Sequence, residues 1–239
     1  MVLVKASHIG RLLVAFQVSP ALSIREDWSR TLFERLQDEF PQLLGLAVIE
    51  RDQFATFLRP ASEGEAGEPI CQIQGQGIQV VVEKPSSEDA AALPAFVGHL
   101  YRESREIFHI AHVRRVGRVQ QTGYILDSDS DAARDALRDC LTKLGPQEAD
   151  DVQLQFSVRE DIFNVNLTLR PAASSNEPGP TGIPIRDILV AQSDVNNWDM
   201  RLDVDWGMAE RILVRGAKHA NEDVPAFIQT RLGLEIRQG

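Results

Sequence analysis

The chain has 239 residues, 43% of them hydrophobic and 25% charged, with a formal net charge of −10. Those proportions are ordinary for a globular protein with a full-sized core and exclude wholesale disorder. The negative surplus repels phosphate backbones and disfavours sequence-independent binding of nucleic acid.

In chain order, Ile9 to Val18 reads as a strand that ends at Ser19-Pro20. Ser23 with Glu26 three residues on predicts a capping box. The following helix gathers Trp28, Leu32, Phe33, Leu36 and Phe40 on one face and stops at Pro41. Strands are expected at Leu43–Glu50 and Phe54–Arg59 around the turn Arg51-Asp52-Gln53. A polar loop, Pro60–Pro69, follows. Ile70–Gln74 and Ile78–Glu83 flank Gly75-Gln76-Gly77, a hairpin signal. A second helix runs from about Glu88 to Phe108, with Leu93, Phe96, Val97, Leu100 and Tyr101 in its apolar stripe.

The order then starts again. A long strand is predicted from His109 to Leu126, and the acidic cluster Asp127–Asp131 is expected to cap a helix bearing Ala133, Leu137 and Leu144 that ends at Gly145-Pro146. Strands are expected at Val152–Val158, Phe163–Leu169, Ile183–Ala191 and Trp198–Val204, with a polar loop at Pro171–Gly182. A last helical stretch starts near Trp206, with Ala209, Ile212, Leu213, Gly216 and Ala217 on one face. Pro225 divides it, and Asn221 or Asp223 is expected to cap the final piece.

Each half thus reads strand, helix, four strands, helix. The segment Arg51–Ser62 (RDQFATFLRPAS) resembles Glu160–Ser174 (EDIFNVNLTLRPAAS), which points to an internal duplication. The expected fold is α+β: two β-α-β4-α units, residues 1–108 and 109–239, forming one curved antiparallel sheet with helices on one face and the other face free. The duplicated saddle of the TATA-binding protein has that element order, a likeness of topology that implies nothing about function.

No apolar run reaches the roughly 18 residues of a membrane helix, and the N-terminus reads as a strand rather than a signal peptide. Cys71 and Cys140 do not make a disulfide framework, so reduced thiols and a cytoplasmic setting are expected. No phosphate loop, nucleophile elbow or metal-ligand spacing is present, so neither a cofactor nor an enzymatic activity is expected.

Three constellations carry chemistry. Asp203 and Asp205 in WDMRLDVDW would share one face of a strand, a geometry that can hold a divalent cation. Asp127–Asp131 imitates a calcium loop but has Ala132 at the required glycine and Arg138 at the required acid. Arg114, Arg115 and Arg118 place three guanidinium groups in five residues, with Arg114 and Arg118 expected on one face and Arg115 on the other. Charge supports a site there. Residues 1–120 hold 13 basic and 15 acidic side chains (net −2), leaving 12 and 20 (net −8) for residues 121–239. The expected function is a non-enzymatic accessory protein that uses the free sheet face and these arginines to hold a protein partner or an anionic ligand. A nucleic-acid saddle and a metal-dependent enzyme using Asp203 and Asp205 are the alternatives, and a second copy of the chain is an alternative partner.

The segments LLVAFQVSP, EFP, FVGHLYRESREIFHIAHVRRVGRVQ and ILVRGAKHANEDVPAFIQTRLG resemble a sporadically distributed family of bacterial proteins of about this length. In that family the central strand reads Gly-Leu-Arg-Tyr-Ile-Asn-like. Here RRVGRVQQ departs from it, with Gln120 near the Asn place. The resemblance implies the architecture and no activity.

Overall fold

Strict alternation in strands and three-to-four spacing in helices decide where the chain buries its apolar surface. The computed structural model describes residues 2–61, 67–127, 132–141, 152–173 and 187–236. Residues 128–131 of the acidic cluster, Leu144, Gly145-Pro146, the polar loop after Ala173 and residues 183–186 of the strand expected at Ile183–Ala191 lie outside them. The first half runs β1 (Leu3–Ser19), α1 (Glu26–Glu39), β2 (Leu46–Glu50), β3 (Phe54–Leu58), β4 (Pro69–Gln74), β5 (Gly77–Glu83) and α2 (Ser87–Ile107). The second runs β6 (His112–Leu126), α3 (Ala132–Leu141), β7 (Leu154–Glu160), β8 (Phe163–Ala173), β9 (Asp187–Asn197), α4 (Trp206–Lys218), a π-helical turn His219–Asp223, α5 (Val224–Leu232) and β10 (Glu235–Ile236).

Among the described residues the strands form one sheet in the order β2-β3-β4-β5-β1-β6-β9-β8-β7, with β10 parallel to the start of β1. The long central pair β1 and β6 joins the halves, Leu12 facing Gln120 and Val14 facing Arg118. On β1, Leu12, Val14 and Phe16 turn inward; on β5, Ile78, Val80 and Val82 do the same. The helices pack on that side, as expected for this curved α+β sheet. One core gathers under α1, α2 and α4 and a second under α3 and α5. The other face carries Gln72, Gln79, Gln121, Gln192 and Asn166 among Leu13, Val81 and Val119, and no helix among the described residues covers it.

The two similar segments fold alike. Asp52 (φ 60°) and Asp161 (φ 52°) each make the left-handed residue of a hairpin, β2–β3 and β7–β8, and each hairpin is the outermost pair of its half. Among the described residues the second half has three flanking strands where four were expected. Its strand beside the centre is β9, and β8 pairs with it directly, so the counterpart of β4 is absent among the described residues.

Other boundaries also differ from the sequence reading. β1 starts at Leu3 because its first residues are held by β10 and by the end of β6. Ser23 caps nothing: α1 begins after Arg25, and Glu26 pairs with Arg30 at 3.0 Å instead of reaching back. The capping box sits on α2, where Ser86 Oγ accepts from the Asp89 N–H at 3.0 Å and the Asp89 carboxylate accepts from the Ser86 N–H at 2.9 Å. α3 draws a cap from another element, the Ala133 N–H donating to Asp187 Oδ2 at 2.8 Å. Pro225 falls in the first turn of α5, directly after the π-helical turn, and the chain stays helical through it. Neither Asn221 nor Asp223 makes a side-chain cap on α5; the π turn carries α4 into it without a break.

Trp198–Val204 is not a strand. Asp199 accepts from the Arg201 N–H at 3.0 Å, and Asp203 Oδ1 accepts from the Val113 N–H at 3.0 Å. Short polar side chains that take up backbone donors turn the chain instead of extending it.

Candidate anion-binding cleft

α2 and α4 touch at one point and part beyond it. A Cβ on Gly98 would lie 3.1 Å from Cζ2 of Trp206, so glycine lets the indole of α4 rest closely on α2 there. The Tyr101 hydroxyl also donates to the Val204 carbonyl just before α4. Past this contact the two helices leave a cleft of about 330 Å³ over the centre of the sheet. Leu12 and Val14 of β1 and Arg118 and Gln120 of β6 form its floor. Leu93, Pro94 and Val97 form one wall, Trp206, Leu213 and Val214 the other. The volume is at the small end of the range for ligand sites. Pro94, in the interior of α2, has no N–H to give, so the carbonyl of Ala90 on the same wall lacks its helical donor.

Arg118 is the unusual feature. A Cβ on Gly216 would sit 3.1 Å from its Cβ and 3.2 Å from its Cδ, so the aliphatic stem lies pinned under the backbone of α4. Its guanidinium donates to Gln120 Oε1 at 3.0 Å, while Nε is shut off from solvent with no partner. Among the described residues no carboxylate pairs with it. Burial alone pulls the guanidinium below its ordinary pKa, though an arginine stays charged. The contrast is with Arg215, which meets both Glu160 at 2.9 Å and Asp223 at 2.8 Å, and Arg59, which pairs with Asp89. A larger hollow of about 640 Å³ near the start of α1 is lined by Arg25, Arg30 and Arg51, and each is already paired, with Asp27, Glu26 and Asp52.

Gln120 is 2% exposed and fully engaged, its Nε2 donating to Thr122 Oγ1 at 3.3 Å and to Asn221 Oδ1 at 3.0 Å. Beside it, Ser193 Oγ lies 2.7 Å from His219 Nδ1, both buried. Residues two apart in an α-helix face away from each other. The π turn lets His219 and Asn221 both reach the sheet, a use typical of such turns. The pattern of residues gave no partner for His219; the polar Ser193 at an inward position of β9 was the available signal.

Burial, and the Arg215 charge beside it, hold His219 below its ordinary pKa, against smaller opposing effects of Asp223 and Glu160. The folded value lies under the unfolded one of about 6.5, so its contribution to stability is complete above that pH and lost as pH falls through the folded value. The fall in melting temperature between pH 7.5 and 5.5 is therefore expected to be larger for the wild type than for His219→Asn. Equal falls would contradict the assignment.

The three arginines singled out by the sequence are not brought together. A register shift between Gln17 and Val18 leaves Arg114 as the extra residue of a bulge, and its guanidinium donates to the Arg201 carbonyl at 2.9 Å. Arg118 turns under the helices, so the expected sharing of the free face by Arg114 and Arg118 does not occur. Arg115 lies on the uncovered face in a groove of about 220 Å³ with Arg159, Asn164, Asn196 and Trp198. Asp203 and Asp205 also part. Asp203 Oδ2 faces His112 at 3.5 Å and Arg105 at 3.8 Å, while Asp205 caps α4 by accepting from the Met208 N–H at 2.8 Å. Among the described residues no group of three His, Cys, Asp or Glu is placed to hold a metal ion, and no helix is long and apolar enough to cross a membrane. No protein-family model matches the chain, and no curated protein matches it.

Proposed function

We propose that the chain is a non-enzymatic binding protein that captures a small organic anion on Arg118, in the cleft between α2 and α4. The observation that carries this reading is a largely buried cation that no carboxylate pairs among the described residues. Desolvating a charge is costly unless a partner compensates it, so an anion brought into the cleft gains what the protein withholds. The Asp203 carboxylate is occupied by the Val113 N–H of β6 and that of Asp205 by the cap of α4, which supports a binding role over metal-dependent chemistry. Anilinonaphthalene sulfonate is a suitable probe, being an apolar fluorophore with one fixed negative charge. It is expected to bind the wild type saturably at one site and about ten- to hundredfold more weakly to Arg118→Leu, the worth of one charge-assisted hydrogen bond. Equal binding by the two chains would refute the site.

A second reading, a protein partner on the free sheet face, is favoured by Arg115 and Arg159. Both lie in one groove, Arg159 stands over the exposed Trp198 ring at 5.4 Å, and neither pairs with a carboxylate among the described residues. An acidic segment fits that groove. A hexaglutamate peptide is expected to change tryptophan fluorescence at low salt, and Arg159→Glu to remove the change; no change in the wild type would dismiss this surface.

A further inference from the structure

We infer that the anion held by Arg118 is the head of a single-chain amphiphile, a monocarboxylate with a hydrocarbon tail; this rests on the anion-binding reading above and adds the chemistry of the ligand. The head follows from the count of charges. Arg118 is the one cationic side chain among the residues that line the cleft, and of its five N–H groups one is engaged, by Gln120 Oε1. The amide of Gln120, beside Arg118 in the floor, is already spent on Thr122 and Asn221. One positive charge neutralises one negative charge. A doubly charged phosphate ester would keep an excess, with Glu210 on the rim and a net chain charge of −10 against it.

The tail follows from the walls. Away from Arg118 the cleft offers Leu12, Leu93, Val97, Trp206 and Leu213. A peptide or sugar would bring polar groups that such walls leave unsatisfied. An alkyl chain brings none and replaces water on both sides. Val214, 63% exposed at the rim, is an apolar residue in a place where water would favour a polar one. It gives the outer end of a tail something to lie on.

The test is displacement of anilinonaphthalene sulfonate from the full chain by hexanoate, octanoate and decanoate, with octylamine and octyl phosphate in parallel. Each added methylene is expected to tighten binding about fourfold, the worth of one buried CH₂ group, until the cleft is filled. Octylamine is expected not to compete, and octyl phosphate to compete less well than octanoate. Val214→Glu, at an exposed position that leaves the core untouched, is expected to weaken octanoate more than tenfold through a carboxylate at the rim. Affinities independent of chain length, or octyl phosphate binding better than octanoate, would overturn the monocarboxylate while leaving an Arg118-dependent anion site standing. Loss of the sulfonate probe itself from the wild type would instead remove the site.

Discussion

An Arg118→Leu chain is expected to bind its ligand about ten- to hundredfold more weakly and yet melt no earlier than the wild type. Most substitutions of a half-buried floor residue destabilise a protein, because they open a hole or strand a polar group. This one removes a largely buried charge that no carboxylate pairs among the described residues. Leucine keeps an apolar stem under Gly216, where the Arg118 methylenes now pack. One cost opposes the gain: Gln120 Oε1 loses the donor that Arg118 supplies, about 1 kcal/mol. Relief of the unpaired cation is expected to match or exceed that, as when buried ionic groups are replaced by apolar ones. At this chain size each kcal/mol moves the melting temperature by about 2–4 °C. A melting temperature several degrees below wild type would mean that Arg118 serves the fold and that its lack of a counter-charge has been misread. Arg118→Lys separates charge from shape, because it keeps the cation but loses the planar group.

Phe96→Ala is expected to have the opposite profile, a large loss of stability from a position that touches no ligand. Phe96 is fully buried in the inward row of α2, edge-on to Phe40 of the α1 end at 5.4 Å. Removing a buried aromatic ring costs about 3–5 kcal/mol through lost contacts and the cavity left behind. That corresponds to a fall of about 6–20 °C in melting temperature at this size. Phe156→Ala is the control. Its ring is 38% exposed on β7 and leans on Phe227 at 5.1 Å, so its loss is expected to cost about 1 kcal/mol or less. Equal costs for the two would contradict the placement of the core under α1, α2 and α4.

What could be seen in the sequence was whatever the chain states locally. The inward rows of β5 and α2 follow from spacing alone, and both hairpins of the repeated segment were marked by their own turns. What escaped was set by partners far along the chain. The opening residues of β1 are strand because β10 and the end of β6 pair with them, and no local pattern announces that. Trp198–Val204 alternates like a strand, yet Asp199 takes up the Arg201 N–H in a turn and Asp203 ties the segment to the Val113 N–H of β6. The arginines show the limit most clearly. Alternation put Arg114 and Arg118 on one face, which a single bulged residue undoes, and periodicity names faces without saying which one the helices cover. One cue for Arg118 was present: Gly216 on the inward face of the last long helix is where that helix comes close to the sheet, and what it comes close to is the Arg118 stem.

The reading rests on a guanidinium that meets no carboxylate among the described residues, and its Nε–H proton is the reporter. Its resonance can be followed directly in the arginine side-chain region of a nitrogen–proton correlation spectrum, assigned by its absence from the Arg118→Leu chain. On titration with octanoate that proton is expected to move strongly downfield and saturate with the binding curve, while the signal of Arg215, already held by Glu160 and Asp223, stays in place. An Arg118 signal that does not move at saturating octanoate or sulfonate would contradict the account.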